Sequence, residues 1–295
     1  MTTLQQTLNK RVSLRGIGLH SGAETRVTIS PAPADTGIVF QARGGKIKLR
    51  ALVDTVVDST NATTLGVNGT RIRMVEHLMA ALAGLGLDNA HIEVDGGEVP
   101  AADGSSEPFV SLLRAAGRVT LEAWQRPLVV THPLRVGDDS RWLEVEPSDA
   151  FRISYILDHR HPAVGTQVME YTPSEDDFVR DLAPARTYGF LHDVTALRDR
   201  GLALGGSLDN AIVIGEDGPL NPLRFRDEFV RHKVLDLVGD LALLGRPLIG
   251  HVRGRNGGHA LNAELVSAIE REFEPRPLPA RAALTPRAGL VPAPA

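Results

Sequence analysis

Three side chains that can bind metal ions recur every four residues in one segment of this chain of 295 residues. On an α-helix, His232, Asp236 and Asp240 would lie along one face, with Lys233 beside them. Residues 227–244 are otherwise mostly apolar, and a helix that is apolar around most of its surface is buried. A buried carboxylate needs a partner because its desolvation costs several kcal/mol. A metal ion is one such partner, but a solvated polar stripe on an amphipathic helix has the same spacing.

The adjacent pair Glu76 and His77 is a second candidate for metal chemistry. Apolar residues recur at i, i+3, i+4 and i+7 from Val75, which predicts a helix that begins at this pair. Neighbouring helical positions point about 100° apart, so His77 could bind a metal ion while Glu76 reaches a water molecule beside it. Alternatively, Glu76 is present only because acidic side chains are favoured at helix N-termini.

A third candidate is His259, which follows two glycines in a predicted loop. Glycine lets the backbone approach a ligand closely, so such a loop can belong to a binding site. A single histidine in a loop is, however, more often an ordinary surface residue.

The elements that must position these residues occur in two similar series. In each, strands precede a helix, and the passage from helix to strand at residues 78–94 has a counterpart at residues 234–253. We expect two α+β domains, one over 1–122 with Glu76 and His77, and one over 127–272 with the later candidates. Residues 191–214 are typical of an inserted helix and strand. The segment 275–295, rich in Pro, Ala and Arg, predicts a disordered tail.

Composition excludes several classes of protein. Without cysteine, the chain has no disulfide and no thiolate ligand for a metal. The net charge of −4 and an aromatic content of 4% disfavour nucleic-acid binding, since neither a basic field nor a stacking platform is present. The N-terminus lacks the apolar core of a signal peptide, and no apolar run approaches the ~20 residues that span a membrane. We therefore expect a cytoplasmic protein with no membrane span.

Several blocks of sequence, in order along the chain, resemble one known family. They are residues 16–22 (GIGLHSG), 75–89 (VEHLMAALAGLGLDN), 103–106 (DGSS), 185–190 (ARTYGF), 229–236 (FVRHKVLD) and 258–262 (GHALN). The chain resembles the UDP-3-O-acyl-N-acetylglucosamine deacetylases of lipid A biosynthesis as far as about residue 272. The resemblance implies an α+β fold of two similar domains. Each would be a sheet layered with helices in a β-α-α-β sandwich, with a small insert in each half.

The resemblance also implies catalytic roles. It assigns one Zn²⁺ per chain to His77, His232 and Asp236, although two histidines and a carboxylate also suit Fe²⁺. Glu76 would take a proton from the attacking water, and His259 would act as a cation or as a proton donor to the leaving amine. The remaining implied roles are oxyanion stabilisation by Thr187, orientation of His259 by Asp240, and binding of the diphosphate or sugar by Lys233.

Substrate contacts are implied as well. Asp158 and His159 would line a uracil pocket, in which His159 replaces the aromatic residue usual in the family. Tyr188 stands where the family usually has Phe, and a turn over residues 16–22 would place His20 beside the site. The apolar passage for the acyl chain would comprise Phe190, Leu191, Val194, Leu197, Ala203, Ala211 and Val213.

Two of these assignments have alternatives within the sequence. The small and aliphatic residues of 191–214 are explained equally well by a core hairpin. His159 and His161 could instead form an H-x-H metal pair on a strand, because alternate strand residues face one way.

The implied reaction is hydrolysis of the N-acetyl group of UDP-3-O-(3-hydroxyacyl)-N-acetylglucosamine, with release of acetate. We expect a monomer whose partner is this UDP-linked acylated sugar. Three other functions remain open: a noncatalytic sensor of the nucleotide sugar, a fusion with a dehydratase domain, and a hydrolase of another N-acetyl sugar. Glu76 and the three metal-binding residues argue against the sensor, and the short segment after Ala260 argues against the fusion.

Overall fold

The computed structural model describes residues 3–273. The predicted disordered tail at 275–295 lies outside the described residues. The helices are α1 Glu76–Gly84, α2 Glu107–Ala116, α3 Glu175–Asp177, α4 Leu191–Asp199, α5 Glu228–Leu241 and α6 His259–Glu272. Short 3₁₀ turns cover Val53–Thr55 and Ala242–Leu244, and a π-helical turn covers Phe178–Leu182.

The strands divide into those before and those after α2. Before it lie β1 Leu4–Leu8, β2 Val12–Ile17, β3 Glu24–Pro31, β4 Ile38–Ala42, β5 Lys48–Arg50, β6 Val56–Asp58, β7 Thr64–Val67, β8 Thr70–Ile72 and β9 Ala90–Asp95. After it lie β10 Arg118–Trp124, β11 Leu128–Val129, β12 Leu134–Gly137, β13 Trp142–Glu146, β14 Arg152–Asp158, β15 Thr166–Tyr171, β16 Tyr188–Phe190, β17 Ile212–Ile214, β18 Leu248–Ile249 and β19 His251–Arg255.

Two five-stranded sheets share one topology. The first has the order β2-β3-β9-β4-β5 and the second the order β12-β13-β19-β14-β15. In both, the last strand along the chain lies at the centre, parallel to one neighbour and antiparallel to the other. The strands alternate buried and partly exposed residues, as expected when one face of a sheet covers a core. The predicted similarity of the two halves is therefore confirmed.

The helices lie between the two sheets. In the first half α1 packs on α2, in the second α5 packs on α6, and α1 and α5 contact each other across the middle. Large apolar side chains from both halves, among them Phe40, Phe109 and Phe229, are fully buried in one continuous core. This is the predicted α+β sandwich of sheet, helices and sheet. The division into domains at 122–127 stays a prediction.

Each half also carries an insert before its first long helix. In the first half β6, β7 and β8 form a three-stranded antiparallel sheet. In the second half β16, α4 and β17 form a β-α-β unit whose two strands are parallel. The predicted helix and strand at 191–214 are thus confirmed. The alternative core hairpin is wrong because β16 and β17 run in the same direction, with α4 as the crossover.

One long helix is not predicted by the sequence pattern. Helix α6 begins at His259, which was predicted to lie in a loop. The preceding strand ends at Arg255, and the backbone is extended at Gly258, from which the helix starts. Among residues 3–273, no helix combines the length and the apolar character that crossing a membrane requires.

A substitution at the α1–α5 contact tests this packing. A Cβ atom added at Gly239 would lie 2.1 Å from the carbonyl oxygen of Glu76, so Gly239→Ala must push the helices apart. We expect it to lower the free energy of unfolding by about 1–3 kcal/mol or more, as overpacking does, although alanine in a free helix is stabilising relative to glycine. Thermal or urea unfolding measures the effect.

Gly189→Ala is the matched control, because the nearest atom to its added Cβ is 3.6 Å away, an ordinary contact. Equal stability of the Gly239→Ala protein and the wild type would show that the helices do not pack this closely.

Candidate metal centre and active site

The polar face of α5 is buried. His232, Asp236 and Asp240 are 2%, 3% and 1% exposed, and they lie on a helix whose apolar residues are also buried. The alternative of a solvated stripe is therefore wrong. Because buried charges need partners, this face must be matched by groups on neighbouring elements.

Helix α1 brings Glu76 and His77 to this face. The chain enters the helix through Met74, which has a φ of 60°, a left-handed conformation that is uncommon for a residue with a side chain. Close approach of α5 at Gly239 then places the first turn of α1 against the polar face. Glu76 and His77 are only 2% and 4% exposed, so both side chains at the N-terminus of α1 are buried.

Donor atoms of His77, His232 and Asp236 converge within 4.8 Å of one another. Asp236 Oδ1 is 3.3 Å from His232 Nε2 and 3.6 Å from His77 Nε2. Ligands about 2.1 Å from a tetrahedral zinc ion are about 3.4 Å apart, so these spacings fit a metal between them. Asp236 Oδ1 is also buried without a hydrogen-bond partner among the described residues. The three predicted ligands therefore form one group that could hold a metal ion.

The protonation of His232 suits a metal ligand. Its Nδ1 lies 3.1 Å from the carbonyl oxygen of Ala185, which fixes the proton on that nitrogen and leaves the Nε2 lone pair free. Burial lowers the pKa of His232 to about 3, despite the opposing effect of Asp236. The imidazole is therefore neutral near pH 7.

Lys233 lies beside the same group. Its Nζ donates to Asp236 Oδ2 at 3.1 Å and lies 5.5 Å from the centre of the Tyr188 ring. Burial would lower the pKa of Lys233, but the Asp236 carboxylate outweighs burial and raises the pKa. Lys233 is thus a fixed positive charge at the edge of the site.

Glu76 faces the group without belonging to it. Its Oε2 accepts a hydrogen bond from the backbone N–H of Thr63 at 3.0 Å. Burial raises the pKa of Glu76, and a positive charge on His259 lowers it in part. A carboxyl group with a raised pKa beside a metal site suits proton transfer near neutral pH.

His259 is paired with Asp240. Its Nδ1 lies 2.8 Å from Asp240 Oδ2, and its Nε2 is 3.9 Å from Asp236 Oδ2. Burial would lower the pKa of His259, but the charges of Asp240 and Asp236 and the hydrogen bond outweigh it and raise the pKa to about 10. The ring is therefore a cation near pH 7. Its side chain is 11% exposed, so the interpretation as a surface histidine is wrong.

Thr187 is held by both halves of the chain. Its N–H donates to the carbonyl oxygen of Gly104, and its own carbonyl oxygen accepts from the N–H of Ile212. It lies between Ala185, which contacts His232, and Tyr188, whose ring centre is 6.2 Å from that of His232. The backbone of Thr187 is thus fixed close to the metal group.

A buried ion pair anchors the residues just before Thr187. The Arg186 Nε and the backbone N–H of Arg186 both donate to Glu228 Oε1, at 2.9 Å and 3.1 Å. Glu228 is fully buried at the start of α5, the helix that also bears His232 and Asp236. The residues that lead into strand β16 and helix α5, which bears two of the candidate metal ligands, are therefore tied together.

The candidate uracil residues lie near the end of strand β16. His159 stacks on Phe190 with ring centres 4.6 Å apart and an angle of 19°. Asp158 is bound by Thr166 and Arg255. The alternative H-x-H metal pair on a strand is wrong, because β14 ends at Asp158 and His161 points to the carbonyl oxygen of Gly215 instead. Within residues 3–273, the three predicted ligands are the group that could hold a metal.

The candidate acyl-passage residues lie on the second insert. Helix α4 has no buried residue, and Leu191 is 50% exposed. Val194, Leu197, Ala211 and Val213 are half-buried, while Ala203 is buried. The backbone N–H of Ala203 lies 3.4 Å from Nδ1 of His20, so the predicted turn at 16–22 packs on this insert. Burial lowers the pKa of His20.

Two polar residues of the site were missed from the sequence. Thr63 donates its hydroxyl to Asp240 Oδ1 at 2.6 Å, and Asn262 donates to Asp240 Oδ2 at 2.8 Å. Asn262 could have been found, because it lies almost one helical turn after His259 in a matched block. Thr63 lies in no motif, and only the fold brings it to the site.

Comparison with known proteins gives one consistent result. A family profile described as UDP-3-O-acyl N-acetylglycosamine deacetylase matches residues 5–271. A protein of Myxococcus xanthus (strain DK1622) named UDP-3-O-acyl-N-acetylglucosamine deacetylase is 48% identical over 269 residues, which cover 90% of this chain and 86% of that protein. Proteins of the same name from Syntrophotalea carbinolica and Acidithiobacillus ferrooxidans are 45% and 46% identical, each over 90% of this chain and 87% and 89% of their own length.

Metal content tests the assignment of ligands. His77→Ala and Asp236→Ala each remove a donor atom. Each should weaken metal binding by more than the roughly 10–100-fold that follows the loss of a residue that only hydrogen-bonds to a metal ligand. Elemental analysis after dialysis, with thermal unfolding as a check of folding, measures this. Glu76→Ala is the control and should keep its metal. Full occupancy in the Asp236→Ala protein would remove Asp236 from the ligand set.

Proposed function

Because this chain belongs to the UDP-3-O-acyl-N-acetylglucosamine deacetylase family, we propose that it hydrolyses the N-acetyl group of UDP-3-O-(3-hydroxyacyl)-N-acetylglucosamine and releases acetate. The observation that carries this proposal is the convergence of three buried donor atoms beside a buried carboxyl group and a histidine cation. These groups are the ones that amide hydrolysis by a metal-activated water requires. The reaction belongs to lipid A biosynthesis, and we place it in the cytoplasm.

We propose Zn²⁺ as the metal, held by His77, His232 and Asp236. Two imidazole nitrogens and one carboxylate oxygen suit zinc and leave a fourth position open, as catalytic sites do, while Fe²⁺ suits the same ligands. When bound, the ion would polarise the carbonyl group and lower the pKa of a water molecule. Burial of all three ligands supports the proposal, because a metal ion gives the buried Asp236 carboxylate a partner.

Glu76 is the proposed general base. Its raised pKa brings it closer to the operating pH, where proton transfer is most efficient. The hydrogen bond from Thr63 occupies Oε2 and leaves Oε1 to accept the proton of the attacking water. As the water oxygen bonds to the carbonyl carbon, its proton passes to Glu76, and the C=O π bond opens so that the negative charge moves to the carbonyl oxygen. When the C=O bond re-forms, the C–N bond breaks, and the amine nitrogen leaves with a proton.

His259 and Thr187 complete the proposed chemistry. The raised pKa of His259 keeps it protonated, so that it stabilises the oxyanion or donates a proton to the leaving amine nitrogen. Asp240 orients the ring by accepting from Nδ1, which leaves Nε2 directed towards the metal group. The Thr187 hydroxyl would donate to the oxyanion from the fixed backbone of β16.

The remaining site residues are proposed to bind substrate. Lys233, a partly exposed cation, would bind the diphosphate or sugar, together with Tyr188 beside it. Asp158 and His159 would bind uracil. The acyl chain would lie along the second insert, near His20, and contact Phe190, Leu191, Val194, Leu197, Ala203, Ala211 and Val213. Partly exposed aliphatic side chains on α4 support this, since packing within the chain leaves them available.

A noncatalytic sensor of the nucleotide sugar is the competing function. It would need the substrate contacts but neither the general base nor the paired histidine. The close pairing of His259 with Asp240 and the burial of Glu76 favour an enzyme. Desolvation of buried ionisable groups lowers the stability of the fold, and their use in catalysis is a reason for the protein to retain them. We propose that the protein acts as a monomer and does not bind nucleic acid.

Acetate release tests the function directly. Purified protein should release acetate from UDP-3-O-acyl-N-acetylglucosamine, far more slowly from the same sugar without the acyl chain, and not after treatment with a chelator until zinc is restored. Glu76→Ala should keep its metal and lose about 10²–10⁴-fold in kcat, the range of general acid–base catalysis. Tight binding of the sugar with no acetate release would indicate the sensor instead.

The pH dependence of kcat/KM tests the acid and base. Activity should rise with pH as Glu76 loses its proton and fall as His259 loses its own. The falling limb should have an apparent pKa at or below about 10, because a bound metal dication would offset part of the effect of Asp236 on His259. Asp240→Asn removes a negative charge that raises the His259 pKa, so this limb should move to lower pH. Asp88→Asn, at a carboxylate bound by Gln6 and Gln125, is the control. An unmoved limb in Asp240→Asn would mean that His259 is not the titrating acid.

A further inference from the structure

We propose that Thr63 is a positioning residue that holds the base Glu76 and the His259–Asp240 pair in one arrangement, an inference that rests on the deacetylase function above. Thr63 lies just before β7, on the small sheet inserted into the first half. It is 2% exposed, and no sequence motif singles it out. The proposal follows from its three polar groups, each of which is bonded to the site.

The backbone of Thr63 is fixed against the start of α1. Its N–H donates to Glu76 Oε2 at 3.0 Å, and its carbonyl oxygen accepts from the N–H of Val75 at 3.3 Å. The base is thus held from two directions, through its carboxylate and through the residue before it. A carboxyl group held by one oxygen keeps the other oxygen in a defined direction.

The side chain of Thr63 points to the second half of the chain. Its hydroxyl donates to Asp240 Oδ1 at 2.6 Å, since a carboxylate can only accept. Asp240 Oδ2 accepts from His259 Nδ1 and from Asn262 Nδ2, both at 2.8 Å. The hydroxyl oxygen is also 3.4 Å from His259 Nδ1.

Thr63 is therefore the link between base and acid. Glu76 lies on α1, Asp240 on α5 and His259 on α6, so their relative positions depend on three helices from both halves. The other hydrogen bonds to Asp240 come from its own half and leave Oδ1 unrestrained. Without the hydroxyl, this buried carboxylate would lose a partner and could rotate, moving His259 relative to Glu76. A misplacement of about 1 Å can cost about 10²-fold in rate.

Thr63→Val tests the link, because valine keeps the volume and the backbone N–H but lacks the hydroxyl. We expect kcat for acetate release to fall by about 10–100-fold while KM changes by less than about twofold and bound metal is unchanged. Thr63→Ser, which restores the hydroxyl, should recover most of kcat. The control is Thr64→Val, the same change at the next residue, which is 4% exposed and takes no part in the Glu76–Asp240 network.

Unchanged kcat in Thr63→Val would overturn the proposal. So would a fall in kcat that Thr63→Ser does not recover, or one that is accompanied by loss of bound metal. A crystal structure of the Thr63→Val protein gives a readout without turnover: the Asp240 carboxylate should rotate and its bond to His259 should lengthen. No acetate release by the wild type would defeat the proposed function, whereas an unmoved Asp240 in that crystal structure would defeat the role of Thr63.

Discussion

Helix α5 crosses α1 with no side chain between Gly239 and the carbonyl group of Glu76, and the geometry of the site depends on this contact. An added Cβ atom would lie 2.1 Å from that oxygen, so a larger residue would separate the helices. His77 comes from α1, while Asp236, its neighbour at 3.6 Å, comes from α5. Because metal ligands tolerate errors of only about 0.2 Å, the spacing of the helices decides whether the three donors can share one ion.

Burial lowers the pKa of both histidines of this site, but their neighbours leave them with different charges. His232 faces a backbone carbonyl and stays neutral, with a pKa lowered to about 3, whereas His259 faces a carboxylate and stays charged, with a pKa raised to about 10. The first state suits a metal ligand and the second an acid. At His232 burial outweighs the nearby Asp236 carboxylate, whereas at His259 the charges of Asp240 and Asp236 and the hydrogen bond to Asp240 outweigh burial.

The repeated topology explains why both halves contribute to one site. With the sheets outside and the helices facing each other, the starts of α1 and α6 meet the face of α5 that bears Asp236 and Asp240, and the start of α2 contacts that of α1. Ser106, just before α2, donates to the carbonyl oxygen of His77, and His259 is the first residue of α6. The inserts add Thr63 from the first half and Thr187 from the second, so each half supplies its helices and one polar residue from its insert.

The sequence by itself determined the elements that local pattern specifies: helix α1 from its apolar spacing, helix α5 with its polar stripe, and the likeness of the two halves. It also indicated three candidate metal ligands, through blocks that resemble a family, and the structure brings them into one group that could hold a metal ion. Only the tertiary structure decided that the stripe is buried, that His259 begins a helix, and that Thr63 joins Glu76 to Asp240. These depend on contacts between residues up to 177 positions apart, and a hydrogen bond across such a distance leaves no periodic signal in the chain.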